Sequence, residues 1–237
     1  METRKMMQAA RVLVTGGTSG IGKALAEGFA DAGYSVVAAG LGELPEDRDG
    51  IAFRSLDVTD DQAVSELVEG LAPLAVVVNA AGVIFRGAEL EPEVFAKVVD
   101  INLTGTMRVC AAARRPLAEA GGVIINIASM LSYFGGGLVP GYAASKGGIA
   151  QLTKSLAIAY AADGIRVNAL APGWIATPLT DGLREDPARE EAILSRTPLG
   201  RWGAPEDLVG PALFLAGPGS GFVTGSILNV DGGYAVM

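Results

Sequence analysis

The sequence predicts an α/β fold, a doubly wound seven-stranded parallel sheet with helices on both faces. Two observations carry this. Short apolar runs alternate with helical stretches along the whole chain, which is the pattern of βαβ units. The runs are near-continuous rather than alternating, as expected of strands buried on both faces. Right-handed crossovers then wind the helices onto the two sides of the sheet.

Arg11-Val-Leu-Val14 reads as the first strand. Thr15-Gly-Gly-Thr-Ser-Gly-Ile-Gly22 follows at once, and Lys23 to Ala30 carries helical apolar spacing. Strand, glycine-rich turn and helix together aim backbone N–H groups and a helix N-terminus at a pyrophosphate. Gly16, Gly20 and Gly22 permit the turn and a close approach. Ser35 to Ala39 is the second strand, ended by Gly40-Leu41-Gly42, and Ile51 to Leu56 is the third. Thr59-Asp-Asp-Gln62 has the pattern of a helix start, with Thr59 or Asp60 as cap. Ala75 to Val78 is the fourth strand and delivers Asn79-Ala-Ala-Gly82.

Pro92 to Gly105 and Met107 to Ala120 read as helix, with Asn102 in the first. An asparagine competes for backbone bonds inside a helix, so one flanked by Ile101 and Leu103 points to an inward task. Val123 to Ala128 is the fifth strand and delivers Ser129. Tyr142 to Ala162 is a long helix, and Arg166 to Leu170 a sixth strand ending at Pro172-Gly-Trp-Ile-Ala-Thr177. Thr180 to Arg196 is a charged, helical insertion placed to act as a flap, or to be an ordinary surface loop. Pro205 to Ala216 is a further helix, and Ile227 to Val230 the seventh strand.

The expected carboxyl ends of the strands hold Gly16–Gly22, Asn79–Gly82, Ser129 and Pro172–Thr177. That edge is the ligand edge of an open parallel sheet. Tyr142 and Lys146 lie four apart, on one face of a helix. An ammonium beside a phenol lowers the phenol's pKa from about 10, which makes it a usable general acid/base. Tyr-x-x-x-Lys occurs in many helices, so the weight comes from four signals converging on one edge.

Composition narrows the field. The chain has 237 residues, 50% hydrophobic and 19% charged, with no Pro/Ser-rich linker. That predicts one domain spanning 1–237, with the flap at about 178–200. The net charge of -8 and the lack of a basic run argue against nucleic acid. There is no histidine, which removes His triads and ordinary zinc sites, and no metal is expected. The sole cysteine, Cys110, sits among apolar residues and reads as structural. The segment Met1 to Ala10 is polar and lacks a signal-peptide core. No run of about 18 apolar residues exists for a membrane span. A cytoplasmic location is the expectation.

The chain resembles a short-chain dehydrogenase/reductase over nearly its whole length, from Val12 to about Tyr234. The resemblance rests on Thr15-Gly-x-x-x-Gly-Ile-Gly22, Asp57-Val58, Asn79-Ala-Ala-Gly82, Asn102, Ser129, Tyr142-x-x-x-Lys146 and Pro172-Gly173. It implies a Rossmann-like fold and hydride transfer between a nicotinamide and a ketone or secondary alcohol. It implies Tyr142 as general acid/base, Lys146 as its tuner and ribose ligand, Ser129 on the substrate oxygen, and Asn102 positioning a relay water. Gly16, Thr18, Ser19, Gly20, Ile21 and Gly22 would line the phosphates, Asp57 and Val58 the adenine. Asn79, Ala80, Ala81 and Gly82 would flank the cofactor, and Pro172, Gly173, Ile175 and Thr177 its carboxamide.

In that family, members using NAD often carry an acid at the end of the second strand, where this chain has Gly40, and many using NADP a base just after it, where it has Leu41. Without a basic residue a 2′-phosphate is poorly compensated, so NAD(H) is expected over NADP(H). The substrate wall is expected from Met130, Tyr133, Phe134, Val139, Trp174 and the flap after Pro178, a mostly apolar set that favours a compact hydrophobic or cyclic ketone over a hydroxylated sugar. A 3-oxoacyl thioester reductase and a non-catalytic dinucleotide-binding regulator are the alternatives. The resemblance also implies a homotetramer.

Overall fold

The computed structural model describes residues 10–237. The polar N-terminal segment therefore lies, but for Ala10, outside the described residues. Seven parallel strands form one sheet in the order β3-β2-β1-β4-β5-β6-β7. They are β1 Arg11–Thr15, β2 Ser35–Gly40, β3 Ile51–Ser55, β4 Val76–Asn79, β5 Val123–Ile127, β6 Arg166–Pro172 and β7 Ile227–Val230. The chain reverses direction across the sheet between β3 and β4. That leaves a crevice outside the carboxyl ends of β1 and β4, where such sheets bind ligands.

Side-chain alternation assigns each strand residue to a face. Val12, Val14, Val36, Ala38, Val76, Val78, Val123 and Ile125 pack on one side with Leu25, Phe29, Ala212 and Leu215. Those partners come from α1 (Gly20–Asp31) and α8 (Val209–Ala216). Leu13, Val37, Ala39, Val77 and Ile124 pack on the other with Val64, Val68, Val109, Leu117 and Leu156. Those come from α2 (Asp61–Glu69), α4 (Gly105–Ala118) and α5 (Pro140–Tyr160). Both faces are dry, which is why the strands read as unbroken apolar runs. Each fully buried aliphatic or Phe side chain contributes roughly 1.5–3 kcal/mol.

Local signals set the ends of these elements. Asp60, not Thr59, caps α2, accepting from the N–H groups of Gln62 and Ala63. Helix α1 begins inside the glycine turn, at Gly20. The predicted Pro92–Gly105 helix is instead α3 (Pro92–Val99) followed by a π-helical turn, Asp100–Thr104, which runs into α4. Asn102 sits in that wide turn, and its carbonyl accepts the Thr106 hydroxyl at 2.8 Å. Single π turns of this kind mark functional sites. The 180–196 segment is two short helices, α6 (Asp181–Arg184) and α7 (Pro187–Leu194).

One polar thread crosses the core. Asn126 is fully buried in β5, accepts from Asn79 Nδ2 at 2.9 Å and donates to Thr153 Oγ1 of α5 at 2.9 Å. It ties β4, β5 and the helix that carries Tyr142 into one unit. Cys110 touches this thread through Asn79, and burial pushes its thiol up to about 12, so it is chemically inert. No helix among the described residues is long and apolar enough to cross a membrane.

Candidate active site

The phosphate turn is shaped by clearance. A Cβ at Gly22 would sit 2.1 Å from the Gly16 carbonyl oxygen, and one at Gly16 would sit 2.7 Å from the Ala81 nitrogen. Only glycine allows α1 to start this close to β1 and to the 79–82 loop. Gly16 also has φ +67, the left-handed region. Ser19 precedes α1 in extended conformation and its side chain caps nothing; the first turn of the helix holds no acidic residue. Its N–H groups therefore face the crevice, ready for an anion.

A cavity of about 400 Å³ opens over this turn. It is lined by Gly16, Ser19, Gly20, Ile21, Gly22, Ala80, Gly82, Tyr142, Lys146 and Thr177, among others. An amide cradle at one end and a phenol and an ammonium at the other fit a nicotinamide dinucleotide. A second cavity of about 460 Å³ adjoins it, lined by Ser129, Met130, Phe134, Val139, Tyr142, Gly173 and Trp174. Tyr142 lines both.

Helix α5 carries Tyr142 to the junction of the two cavities. Glu89, buried in the turn before α3, accepts the N–H of Tyr142 at 2.7 Å and that of Phe85 at 2.8 Å. It supplies a carboxylate cap to the helix start from fifty-three residues away. Burial raises the Tyr142 phenol, the Ser129 hydroxyl pulls it down by hydrogen bonding, and the Glu89 charge raises it again. Lys146 is buried, and that burial lowers its ammonium to about 8. Its Nζ donates to the Ile127 carbonyl at 2.6 Å and lies 5.6 Å from the centre of the Tyr142 ring. The expectation that Lys146 lowers the phenol is thus not what governs Tyr142 here. Desolvation dominates, because the ammonium is turned to the strand end and not to the phenol oxygen.

Other expected residues divide into those on the cavities and those behind them. Met130, Phe134, Val139 and Trp174 line the second cavity. Tyr133 does not: it is half-exposed and its hydroxyl donates to Asn229 Oδ1 of β7 at 3.0 Å. The short 3-10 turn Met130–Ser132 swings it away from the cavity. Asn102 lies one layer back. Its Nδ2 donates to Val83 O at 3.0 Å and Ser145 Oγ at 3.1 Å, and its Oδ1 accepts Val83 N at 2.8 Å. Its side chain clamps the 79–84 loop to α5. Asn79 and Val58 are buried, Asn79 in the polar thread. Ala81 N donates to Thr15 Oγ1 at 3.3 Å. Asp57 accepts the Thr59 N–H and hydroxyl, which hold its carboxyl below the usual range. Ile175 is buried and its carbonyl accepts Thr180 Oγ1 at 2.7 Å. Pro172 ends β6.

At the end of β2 the Thr18 side chain packs against Gly40, and Leu41 beyond it is exposed. Arg48 pairs with Glu27 and bridges to Ile51, which lies opposite Val36 at the amino end of the sheet. It is at the wrong edge to meet a cofactor. Arg54 is held by Asp47 at 3.0 Å.

Sequence reasoning missed Glu89 behind the site and, on the second cavity, Ile84, Arg86, Leu138 and Tyr234, whereas Leu179 and Arg196 reach it from the expected flap. They come from separate loops, and only the fold brings them together.

A family model described as enoyl-(acyl carrier protein) reductase matches residues 16–235. The chain is 42% identical to a 2-dehydro-3-deoxy-D-gluconate 5-dehydrogenase of Bacillus subtilis (strain 168), over 94% of this chain and 93% of the relative. It is 39% identical to a cis-4-hydroxycyclohexanecarboxylate dehydrogenase of Sinomonas cyclohexanicum, over 95% and 96%. It is 37% identical to a galactitol 2-dehydrogenase (L-tagatose-forming) of Cereibacter sphaeroides, over 97% and 96%. Among solved structures, a gluconate 5-dehydrogenase of Burkholderia cenocepacia J2315 in complex with NADP and tartrate superposes with TM-score 0.89 at 32% identity, covering 98% of each chain. An actinorhodin polyketide ketoreductase variant with NADPH gives 0.87 at 34%, covering 98% and 99%. The fold and site therefore define a nicotinamide-dependent oxidoreductase that transfers hydride between NAD(P) and a secondary alcohol or ketone. The chain belongs to the short-chain dehydrogenase/reductase family.

Proposed function

We propose that this chain interconverts a secondary alcohol and a ketone on a compact hydroxylated substrate of the sugar-acid or polyol class, with Tyr142 as general acid/base. The observation that carries the proposal is that Tyr142 alone among the polar groups lines both cavities. A phenol at that junction reaches the substrate oxygen and the cofactor at once. The bound nicotinamide supplies or accepts the hydride. Ser129 donates to the carbonyl oxygen on which negative charge develops, and Tyr142 delivers its proton there. Lys146, charged below about pH 8, holds the nicotinamide ribose, while burial and the Ser129 hydroxyl, rather than this ammonium, set the Tyr142 phenol. Asn102 keeps the 79–84 loop and α5 in register and positions the relay water. Gly16 to Gly22 carry the phosphates.

The polyol and acid reading replaces the hydrophobic ketone expected from sequence. It draws on the names of the relatives and on the two arginines in the wall. An alcohol panel tests it: turnover of sugar acids or polyols is expected, and activity confined to apolar alcohols contradicts it.

For the nucleotide we propose NAD(H) over NADP(H), because Arg48 is remote and Arg54 is paired. Solved relatives hold NADP or NADPH, so the decisive experiment is a side-by-side fluorescence titration with NADH and NADPH. Tighter NADPH binding overturns the preference. We further infer one catalytic domain with residues 178–200 as a flap, a cytoplasmic location, and a homotetramer. Exposed Ile158, Phe222 and Val236 supply apolar surface for neighbours. A monomeric mass in solution contradicts the tetramer.

A further inference from the structure

Arginine side chains in this protein are almost all spoken for. Arg48, Arg54, Arg108, Arg114, Arg115, Arg184, Arg189 and Arg201 pair with carboxylates. Arg11 donates to a carbonyl oxygen, and Arg166 to several. Among the described residues, the guanidinium groups of Arg86 and Arg196 alone have no hydrogen-bond or ion-pair partner within the protein. Both line the substrate cavity, and no Asp or Glu lines it with them. Two uncompensated cations at one cavity stand out on a chain of net charge -8.

Arg86 is placed by its backbone and Arg196 by its side chain as well. Arg86 lies between two anchored positions: Phe85 N donates to buried Glu89 at 2.8 Å, and Gly87 N donates to Leu138 O at 2.7 Å. Arg196 follows α7, with its own N–H on Ile193 O at 3.2 Å. Its guanidinium lies 4.5 Å from the centre of the Tyr234 ring, and Tyr234 stacks edge-on with Trp174 and Phe134. An aromatic face orients a guanidinium without neutralising it. Both side chains are exposed at the cavity's rim, while Ser129 and Tyr142 form its floor.

We propose that Arg86 and Arg196 form a carboxylate clamp at the rim of this cavity, which selects a hydroxy acid, or the matching keto acid, over a neutral polyol. The planar guanidinium matches a carboxylate with two parallel N–H···O bonds. A carboxylate held at the rim leaves a hydroxyl further along the molecule at the Ser129–Tyr142 floor, so the clamp sets which carbon reacts as well as which substrate enters. The proposal rests on the reading of this cavity as the substrate site.

The test uses the protein loaded with reduced cofactor. Sodium D-gluconate and galactitol, six-carbon chains that differ chiefly in the carboxylate, are titrated by nicotinamide fluorescence against the wild type, Arg86→Gln, Arg196→Gln and the double variant. Wild type should prefer gluconate, each single change should weaken gluconate by about tenfold, and the double should abolish the preference. Arg115→Gln, a remote surface change, should leave the preference intact. Cofactor affinity, read in the same titrations, reports whether each variant is folded. Should the double variant lose cofactor as well, salt on the wild type decides: added NaCl must weaken gluconate and spare galactitol. The clamp is overturned if wild type shows no gluconate preference or does not bind it, if the double variant keeps the preference, or if gluconate binding is indifferent to salt. Intact gluconate binding without turnover of any alcohol would instead sink the catalytic reading and leave the clamp standing.

Discussion

The two cavities that meet at Tyr142 are walled differently. The proposed cofactor cavity is bounded at one end by Gly16, Ser19, Gly20, Gly22, Ala80 and Gly82, small residues from two strand ends that offer backbone. The proposed substrate cavity has Gly135, Gly136, Gly137 and Gly173 on its wall too, but beside them stand Ile84, Arg86, Met130, Phe134, Leu138, Trp174, Arg196 and Tyr234, large side chains from separated loops. Backbone amides at a helix start can hold a phosphate whatever the side chains nearby. A wall of side chains on loops can be remade without touching the sheet. The first cavity therefore speaks for a class of cofactor, and the second for a particular substrate.

The sharpest way to separate them is at their junction. Tyr142→Phe should lower kcat/KM by roughly 10²–10⁴-fold while cofactor titration stays near wild type. Retained turnover would mean that another group handles the proton. Next in size is Gly22→Ala. The added carbon would meet the Gly16 carbonyl at 2.1 Å, so the turn must open and cofactor affinity should fall by about tenfold or more. Affinity at the wild-type level would show that the turn yields without cost.

Glu89→Gln probes the support of the floor. Glutamine keeps an acceptor for one of the two N–H groups, sets its NH2 against the other, and removes a charge that raises the phenol. The pH midpoint of activity should move to lower pH, with only a several-fold change in the plateau. An unmoved profile would reduce Glu89 to packing. The smallest effect concerns stability. Burial takes Lys146 from 10.5 to about 8, so between those pH values the unfolded chain binds more protons than the folded one. The contribution of Lys146 to stability therefore rises with pH across that window. The variant Lys146→Met lacks this gain. Its thermal midpoint relative to wild type should be highest below pH 8 and decline towards pH 10. Parallel curves would contradict the shift.

Much of the molecule was readable beforehand. The sheet followed from runs such as Val76-Val-Val-Asn79 and Val123-Ile-Ile-Asn-Ile127, because a strand covered on both faces must be apolar throughout. The turn from Gly16 to Gly22 followed from a backbone need that glycine meets best. Tyr142 and Lys146 followed from helical spacing. Each of these depends on neighbours in the chain, where composition and period carry the information.

Tertiary structure decided the rest. Tyr133 and Phe134 are adjacent in sequence, yet one turns to β7 and the other to the second cavity. Glu89 became a cap for α5, and Asn102 a clamp for a loop, through partners nineteen and more residues away. Arg86 and Arg196 stand out only because the fold gives the other described arginines partners and brings these two to one cavity. Backbone geometry is written locally by residue type, whereas a charge acquires meaning only from what the folded chain places beside it.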